Sequence, residues 1–148
     1  MKKKVLGIAV VLMAVAMLAA PVYAKAYKTI SVDKAYSMMF IEDHPDLVVI
    51  DLRAQVPPFP YGYDSGHIAG AINVPVLSPA GINFDALDTW MESTYGQSLL
   101  NSKIIVYCVA GAASPVVAAY LSDGGFKKVY SMEGGILAWV AAEYPIVV

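Results

Sequence analysis

The chain has 148 residues, a length that suits one domain, and it is 58% hydrophobic and only 15% charged, more apolar than an average soluble domain. The formal net charge is −2; without the first 24 residues, seven basic and all 12 acidic residues remain, a net charge of −5. With its cations scattered, such a chain is a poor nucleic-acid binder, because phosphate contacts need clustered Lys and Arg.

Met1 is followed by Lys2, Lys3 and Lys4, then by a stretch over 5–20 without a charge. Pro21 breaks that stretch, and Val22-Tyr23-Ala24 leaves small residues where a signal peptidase would cut. Basic start, apolar middle and small-residue exit predict a secretory signal over 1–24 and an exported domain over 25–148, periplasmic or extracellular. A spanning helix needs about 20 apolar residues, more than this stretch offers. An uncleaved anchor is the alternative, and it is the one expected route to a membrane. No cysteine follows the apolar stretch, so a lipid anchor is not expected.

Thr29-Ile30 ends a short first strand. Ser31 caps a helix over 32–41 with Asp33 in its first turn, and Val32, Ala35, Met38 and Met39 share one apolar face. His44-Pro45-Asp46 forms a turn in which His44 is expected to be exposed. Leu47-Val48-Val49-Ile50 is an unbroken apolar run, the pattern of a strand buried on both sides, and it ends in Asp51-Leu52-Arg53. The stretch 56–63, rich in Pro and aromatic residues, is loop. Its Phe59, Tyr61 and Tyr63 are candidates to wall a pocket, meet a partner or cover the core.

Ile72-Asn73-Val74 predicts another short strand. A helix over 85–95 follows, with Phe84, Leu87 and Met91 as its inner face. Ile104-Ile105-Val106 lies in a second doubly buried strand over 103–107, which runs directly into Cys108. Ser114 and Pro115 read as N-cap and first-turn residue of a helix through 121, stopped at Gly124-Gly125. Lys128-Val129-Tyr130 is a further strand. Gly134-Gly135 precedes a last helix carrying Ile136, Trp139 and Val140. Trp90 and Trp139 are packing residues.

Strands alternating with helices predict an α/β domain of three layers, with a parallel central sheet of about five short strands covered by helices on both faces. Sites in such sheets lie at the carboxyl ends of the strands, where Asp51, Arg53 and Cys108 fall. Cys108 is the only cysteine. It is either a small buried core residue or a reactive thiol. The small residues Val109, Ala110, Gly111, Ala112 and Ala113 let the backbone curl with its amides inward, and Ser114 begins a helix. Such a ring of amides at a helix N-terminus favours the thiolate, which is the nucleophile, and a persulfide.

The segments Val49-Ile50-Asp51-Leu52-Arg53, Gly66-His67-Ile68-Ala69-Gly70-Ala71-Ile72-Asn73-Val74-Pro75 and Ile104-Ile105-Val106-Tyr107-Cys108 stand in that order. After them come Ala118-Ala119-Tyr120-Leu121, Gly125-Phe126, Val129-Tyr130 and Met132-Glu133-Gly134-Gly135-Ile136-Leu137-Ala138-Trp139. Together they resemble the single-domain rhodaneses, a sulfurtransferase family, over nearly all of 25–148. The resemblance implies a catalytic Cys108 that accepts sulfane sulfur from polysulfide or thiosulfate and passes it to a thiol, cyanide or a protein acceptor. It implies no organic cofactor and no metal. The family's loop often reads Cys-x-x-Gly-x-Arg followed by Ser or Thr. Cys108, Gly111 and Ser114 match, and Ala113 stands at the arginine position. An arginine there would clamp an oxyanion such as thiosulfate, so its absence favours donors held by backbone amides: polysulfide chains or a partner's persulfide.

The loop is too short, and lacks the arginine, for the related phosphatases and arsenate reductases. Arg53 has two readings: an anion contact at the mouth of the site, or, favoured, a structural pair with Asp51 or another acid. His67 reads as structural rather than as a general base. Two separated histidines and one cysteine do not make a zinc set. Two other classes compete with a sulfurtransferase: a rhodanese-fold sulfur carrier or protein-interaction module, and a redox sensor acting through an exposed thiolate.

Overall fold

The computed structural model describes residues 26–55 and 62–148, so the expected signal segment and the loop residues Phe59 and Tyr61 lie outside the described residues. β2 (Leu47–Asp51) and β6 (Lys103–Tyr107) are the unbroken apolar runs, and they pair in parallel in the middle of the sheet. β1 (Lys28–Ile30), β3 (Ile72–Asn73) and β7 (Lys128–Met132) complete a parallel sheet of five strands in the order β1-β7-β6-β2-β3. Alternate side chains of the central strands feed two cores. Ile50, Leu52, Ile104 and Val106 enter one, and Val49, Ile105 and Tyr107 the other. A strand with both faces covered has no polar side, which is why these two read as continuous hydrophobic sequence.

α1 (Val32–Phe40) and α5 (Gly135–Ala141) cover one face of the sheet; α2 (Phe84–Glu92), α3 (Thr94–Ser98) and α4 (Ser114–Asp123) cover the other. α1 begins as expected: Ser31 Oγ accepts the Lys34 N–H at 3.1 Å, and Ala35 and Met38 are buried. α5 is anchored by Trp139, fully buried, whose Nε1 donates to the Pro145 carbonyl at 3.0 Å. The connection from β2 leads outward to β3, while that from β6 leads the other way to β7. The carboxyl ends of β2 and β6 therefore flank a topological switch point, where an open α/β sheet leaves a crevice.

Three expectations are corrected. The single helix over 85–95 is two helices, because Ser93 is extended (ψ 154°) and its Oγ accepts the Gly96 N–H at 3.0 Å to start α3. Phe84 is exposed rather than inward, and its ring lies 4.9 Å from that of Tyr120, while Leu87 and Met91 are buried. His44 is half-buried rather than exposed: Glu42 Oε2 stands 2.7 Å from its Nε2 and Lys103 Nζ 2.8 Å from its Nδ1. A lysine only donates, so Nδ1 accepts and Nε2–H donates to Glu42. A hairpin of β4 (Leu77–Ser78) and β5 (Gly81–Ile82) also emerges.

Hydrogen bonds from Lys34, Ser37 and His44 hold the Glu42 carboxyl down to about 2 from an ordinary 4.5. A depressed carboxylate contributes stability above its unfolded value and loses it as pH falls toward the folded one. The urea midpoint of Glu42→Gln is therefore expected to lie below wild type at neutral pH. The difference should close between pH 4.5 and about 2. A pH-independent difference would contradict it.

Candidate active site

Cys108 follows β6 directly, and it packs with Ile104 and Val106 in the core beneath α4. The sulfur thus belongs to the α2–α4 face. Gly111 then turns the chain back with φ +87°, a conformation open to glycine and strained for other residues. Its N–H donates to Cys108 Sγ at 3.2 Å. Three residues later, at Ser114, the chain enters α4, so the positive end of that helix's dipole adjoins the sulfur loop. A thiolate or persulfide at this position gains both the amide and the dipole. Cys108 is 2% exposed, whereas Ala110 and Ala112 on the loop are exposed.

Of the loop amides expected to line the site, the Gly111 N–H bonds Cys108 Sγ itself. The expected cap is corrected. Ala113 holds the N-cap position without a side-chain bond, and Ser114 is the first helical residue. Ser114 is fully buried, and its Oγ accepts from Ser131 Oγ of β7 at 3.0 Å. A Ser-Pro pair fits either position; the buried partner on β7 determines which one is used. Val109 is half-buried, and its carbonyl accepts from Leu137 at 3.1 Å.

The start of α5 supports the loop from behind. The Cys108 carbonyl accepts the Ile136 N–H at 2.9 Å. A Cβ on Gly135 (φ +61°) would overlap the carbonyl oxygens of Cys108 and Val109, and one on Gly111 would come within 2.6 Å of the Gly134 nitrogen. Loop and helix therefore meet backbone to backbone. Gly134-Gly135 was legible as a helix start, but its contact with a loop 26 or so residues earlier had no local signal.

Arg53 is 2% exposed, with its Nη2 2.6 Å and its Nε 2.9 Å from the two Asp51 carboxylate oxygens. Nη2 also donates to the Gly66 carbonyl at 2.8 Å, and the guanidinium stands 5.7 Å from the Tyr107 ring centre. Burial disfavours the Arg53 charge, but the bonds to Asp51 and its charge outweigh that, so the pKa stands above its ordinary value. Burial and Asp51 likewise push the Tyr107 hydroxyl up, and that oxygen accepts the Ile68 N–H at 3.2 Å. The charge of Arg53 is thus committed to its own strand end, tying β2 to the turn before Ile68. A cleft of about 230 Å³ opens beside it, walled by Gly66, Ile136, Leu137, Val140 and Ile146. Cys108 is not part of its lining, and its side chain packs on the other face of the sheet.

His67 is held rather than poised. Its ring stacks on Tyr63 at 3.7 Å, and its backbone exchanges hydrogen bonds with Val147. Among the described residues, no group of three or more His, Cys, Asp or Glu could hold a metal ion.

A cysteine loop at the end of β6, backed by glycines at the start of the last helix, coincides with a family match: the Rhodanese-like domain family covers residues 31–142. The chain is a rhodanese-family protein. It is 35% identical over 117 residues to thiosulfate sulfurtransferase GlpE of Pseudoalteromonas translucida, covering 79% of this chain and 92% of that one. It is 32% identical over 94 residues to a tRNA uridine(34) hydroxylase of Aster yellows witches'-broom phytoplasma, covering 64% of this chain but only 27% of that one. This rhodanese therefore corresponds to about a quarter of the hydroxylase. In three dimensions it resembles a rhodanese-related protein from Thermoplasma volcanium, with a TM-score of 0.58 and 25% identity over 82% of this chain and 98% of that one. The expected parallel α/β architecture is the one observed. The rhodanese loop here contributes no charged side chain: residues 109–113 are Val, Ala, Gly, Ala and Ala.

Proposed function

We propose that this rhodanese carries sulfane sulfur as a persulfide on Cys108, and that it works after export, in the periplasm or outside the cell. The observation that carries the reading is the position of Cys108 Sγ at the end of a central strand, bonded by the Gly111 N–H and adjoining the head of α4. The Cys108 thiolate attacks the outer sulfur of a donor. With thiosulfate, the donor's S–S bond breaks, a new S–S bond forms on Cys108, and sulfite leaves with the electron pair. A thiol, cyanide or protein thiolate then attacks the outer sulfur and regenerates the Cys108 thiolate; with cyanide the product is thiocyanate. The likeness to a thiosulfate sulfurtransferase supports sulfur-anion chemistry. The chain is also similar to about a quarter of a protein named tRNA uridine(34) hydroxylase.

Ala113 shifts the donor preference. A guanidinium clamp on an oxyanion is worth about 1.5–3 kcal/mol, and nothing in the loop replaces it. Polysulfide chains and partner persulfides need no such clamp. Ala113→Arg is expected to raise thiosulfate-to-cyanide transfer by about tenfold or more, with little change for polysulfide. Unchanged thiosulfate turnover in a folded variant would contradict this account of the loop.

Export rests on the order of basic start, apolar stretch and small-residue exit over 1–24. If that segment stays attached it tethers the domain; no helix among the described residues is long and apolar enough to cross a membrane. A second reading, a sulfur carrier or interaction module that does not turn over, is favoured by the 2% exposure of Cys108 together with Ala113. A persulfide that forms and is not released to any acceptor would mark the carrier. The same burial disfavours a redox sensor, which needs an accessible thiolate.

A further inference from the structure

Among the described residues, most cations of this domain gather at one end of the strand axis, where Asp46 pairs with Lys103 and Lys128. Lys28, Lys103 and Lys128 are the first residues of β1, β6 and β7, and Lys127 precedes the last of these. They lie at the amino ends of the strands, away from Cys108. Lys34 is bonded to Glu42, and Arg53 to Asp51. Among the described residues, the carboxyl end of the sheet thus keeps no cation outside an ion pair.

That end does keep acids. Glu133 is exposed and directly precedes Gly134, the residue against which Gly111 packs. Asp85 is in the first turn of α2, and the Asn83 N–H before it donates to the Val76 carbonyl, just beyond β3. Asp64 lies in the turn whose Gly66 carbonyl accepts from Arg53. Beside the loop, exposed Val116 lies one helical turn before Tyr120 on α4, and the exposed Phe84 ring rests on Tyr120.

Two opposed fields result. The Gly111 amide and the α4 dipole favour an anion once it is on Cys108. The rim disfavours an anion on its way in, because like charges slow encounter and opposite charges speed it. A small dianion such as thiosulfate meets both this rim and the uncharged loop. Resting on the persulfide reading above, we propose that the sulfur donor or acceptor is a protein cysteine flanked by basic residues, whose cations pair with Glu133 and Asp85 while its apolar surroundings meet Val116 and Phe84. In the donor direction the Cys108 thiolate attacks the partner's outer sulfur. The partner's S–S bond breaks, an S–S bond forms on Cys108, the proton stays on the transferred sulfur, and the partner leaves as thiolate. No net oxidation occurs.

The test uses three peptides of equal length, each with one cysteine activated as a 2-pyridyl disulfide and flanked by Lys, Gln or Glu. Attack by Cys108 releases pyridine-2-thione, which is followed by absorbance, and each rate is normalised to that with 2-mercaptoethanol. At low salt the order Lys, Gln, Glu is expected, with about tenfold or more between the extremes. The spread should collapse at about 1 M salt, where screening acts within about 3 Å. Glu133→Lys and Asp85→Asn should each narrow it. Equal or reversed rates, or a spread indifferent to both substitutions, would overturn the proposal. The persulfide reading has its own failure, a Cys108 that reacts with charge preference yet takes no sulfur from any donor.

Discussion

Cys108→Ser should reduce sulfur transfer from thiosulfate and from polysulfide to the uncatalysed rate, a loss of about a thousandfold or more, the scale on which removal of a covalent nucleophile acts. The reason is chemical rather than architectural. Serine is close in size to cysteine, and the Gly111 N–H that reaches Sγ at 3.2 Å can serve a hydroxyl oxygen as well. The hydroxyl, however, is not ionised at neutral pH and forms no S–S bond. Melting temperature and far-UV spectrum should therefore stay near wild type while turnover disappears. Activity retained by the serine variant would remove Cys108 from the reaction. A variant that lost activity only because it unfolded would be exposed by the melting curve.

Gly135→Ala should cost nearly as much by a different route. Gly135 has φ +61°, where a Cβ is strained by about 1–2 kcal/mol. That Cβ would also overlap the carbonyl oxygens of Cys108 and Val109. These are backbone atoms of the sulfur loop, and they cannot swing away as a side-chain tip would. Relief requires either α5 to move, against the burial of Ile136 and Trp139, or the loop to move, which pulls Gly111 from the sulfur. Strain and overpacking together predict a destabilisation of about 3 kcal/mol or more, or about 10 °C in melting temperature. Transfer activity should fall even at temperatures where the variant remains folded. An alanine variant with wild-type melting and turnover would show that the loop does not depend on this contact.

The parts of the fold legible in sequence are those in which a local pattern and the tertiary environment agree. β2 and β6 read correctly because strands covered on both faces have apolar residues at every position. α1 read correctly because its cap, first-turn acid and apolar spacing all lie within one short stretch. The parts that did not read depend on partners distant in the chain. His44 looked like an exposed turn residue, but Lys103, which bonds its Nδ1, lies 59 positions away. Ser114 looked like a cap, but Ser131 claims its hydroxyl. The break at Ser93, capped by its own hydroxyl on the Gly96 N–H, brings residue 96 so close to the Trp90 carbonyl that a Cβ there would collide with it. The β4–β5 hairpin has strands of two residues each, too short for any period to show.

The candidate site divides the same way. The position of Cys108 after a buried strand and before a small-residue loop was readable, because strand, loop and helix are contiguous. Arg53 reads two ways in sequence, as an anion contact or, favoured, as a structural pair with Asp51 or another acid. Its bonds to Asp51, two residues back, commit the charge to the scaffold. Glu133 gave no signal at all. It matters only because Gly111 packs on the residue that follows it, a proximity that spacing in the chain does not reveal. Ala113 is the reverse case: its meaning for the donor came entirely from sequence, and the structure adds that it holds the N-cap position of α4 without a side-chain bond.

The most direct measurement is the intact mass of the domain over 25–148 after brief exposure to polysulfide, then after addition of cyanide. The account predicts a gain of one sulfur atom, mapped by peptide analysis to Cys108, absent in Cys108→Ser, and lost again as thiocyanate forms. A domain that stays at its starting mass with every sulfur donor, while Cys108 remains reduced and the fold intact, would contradict it.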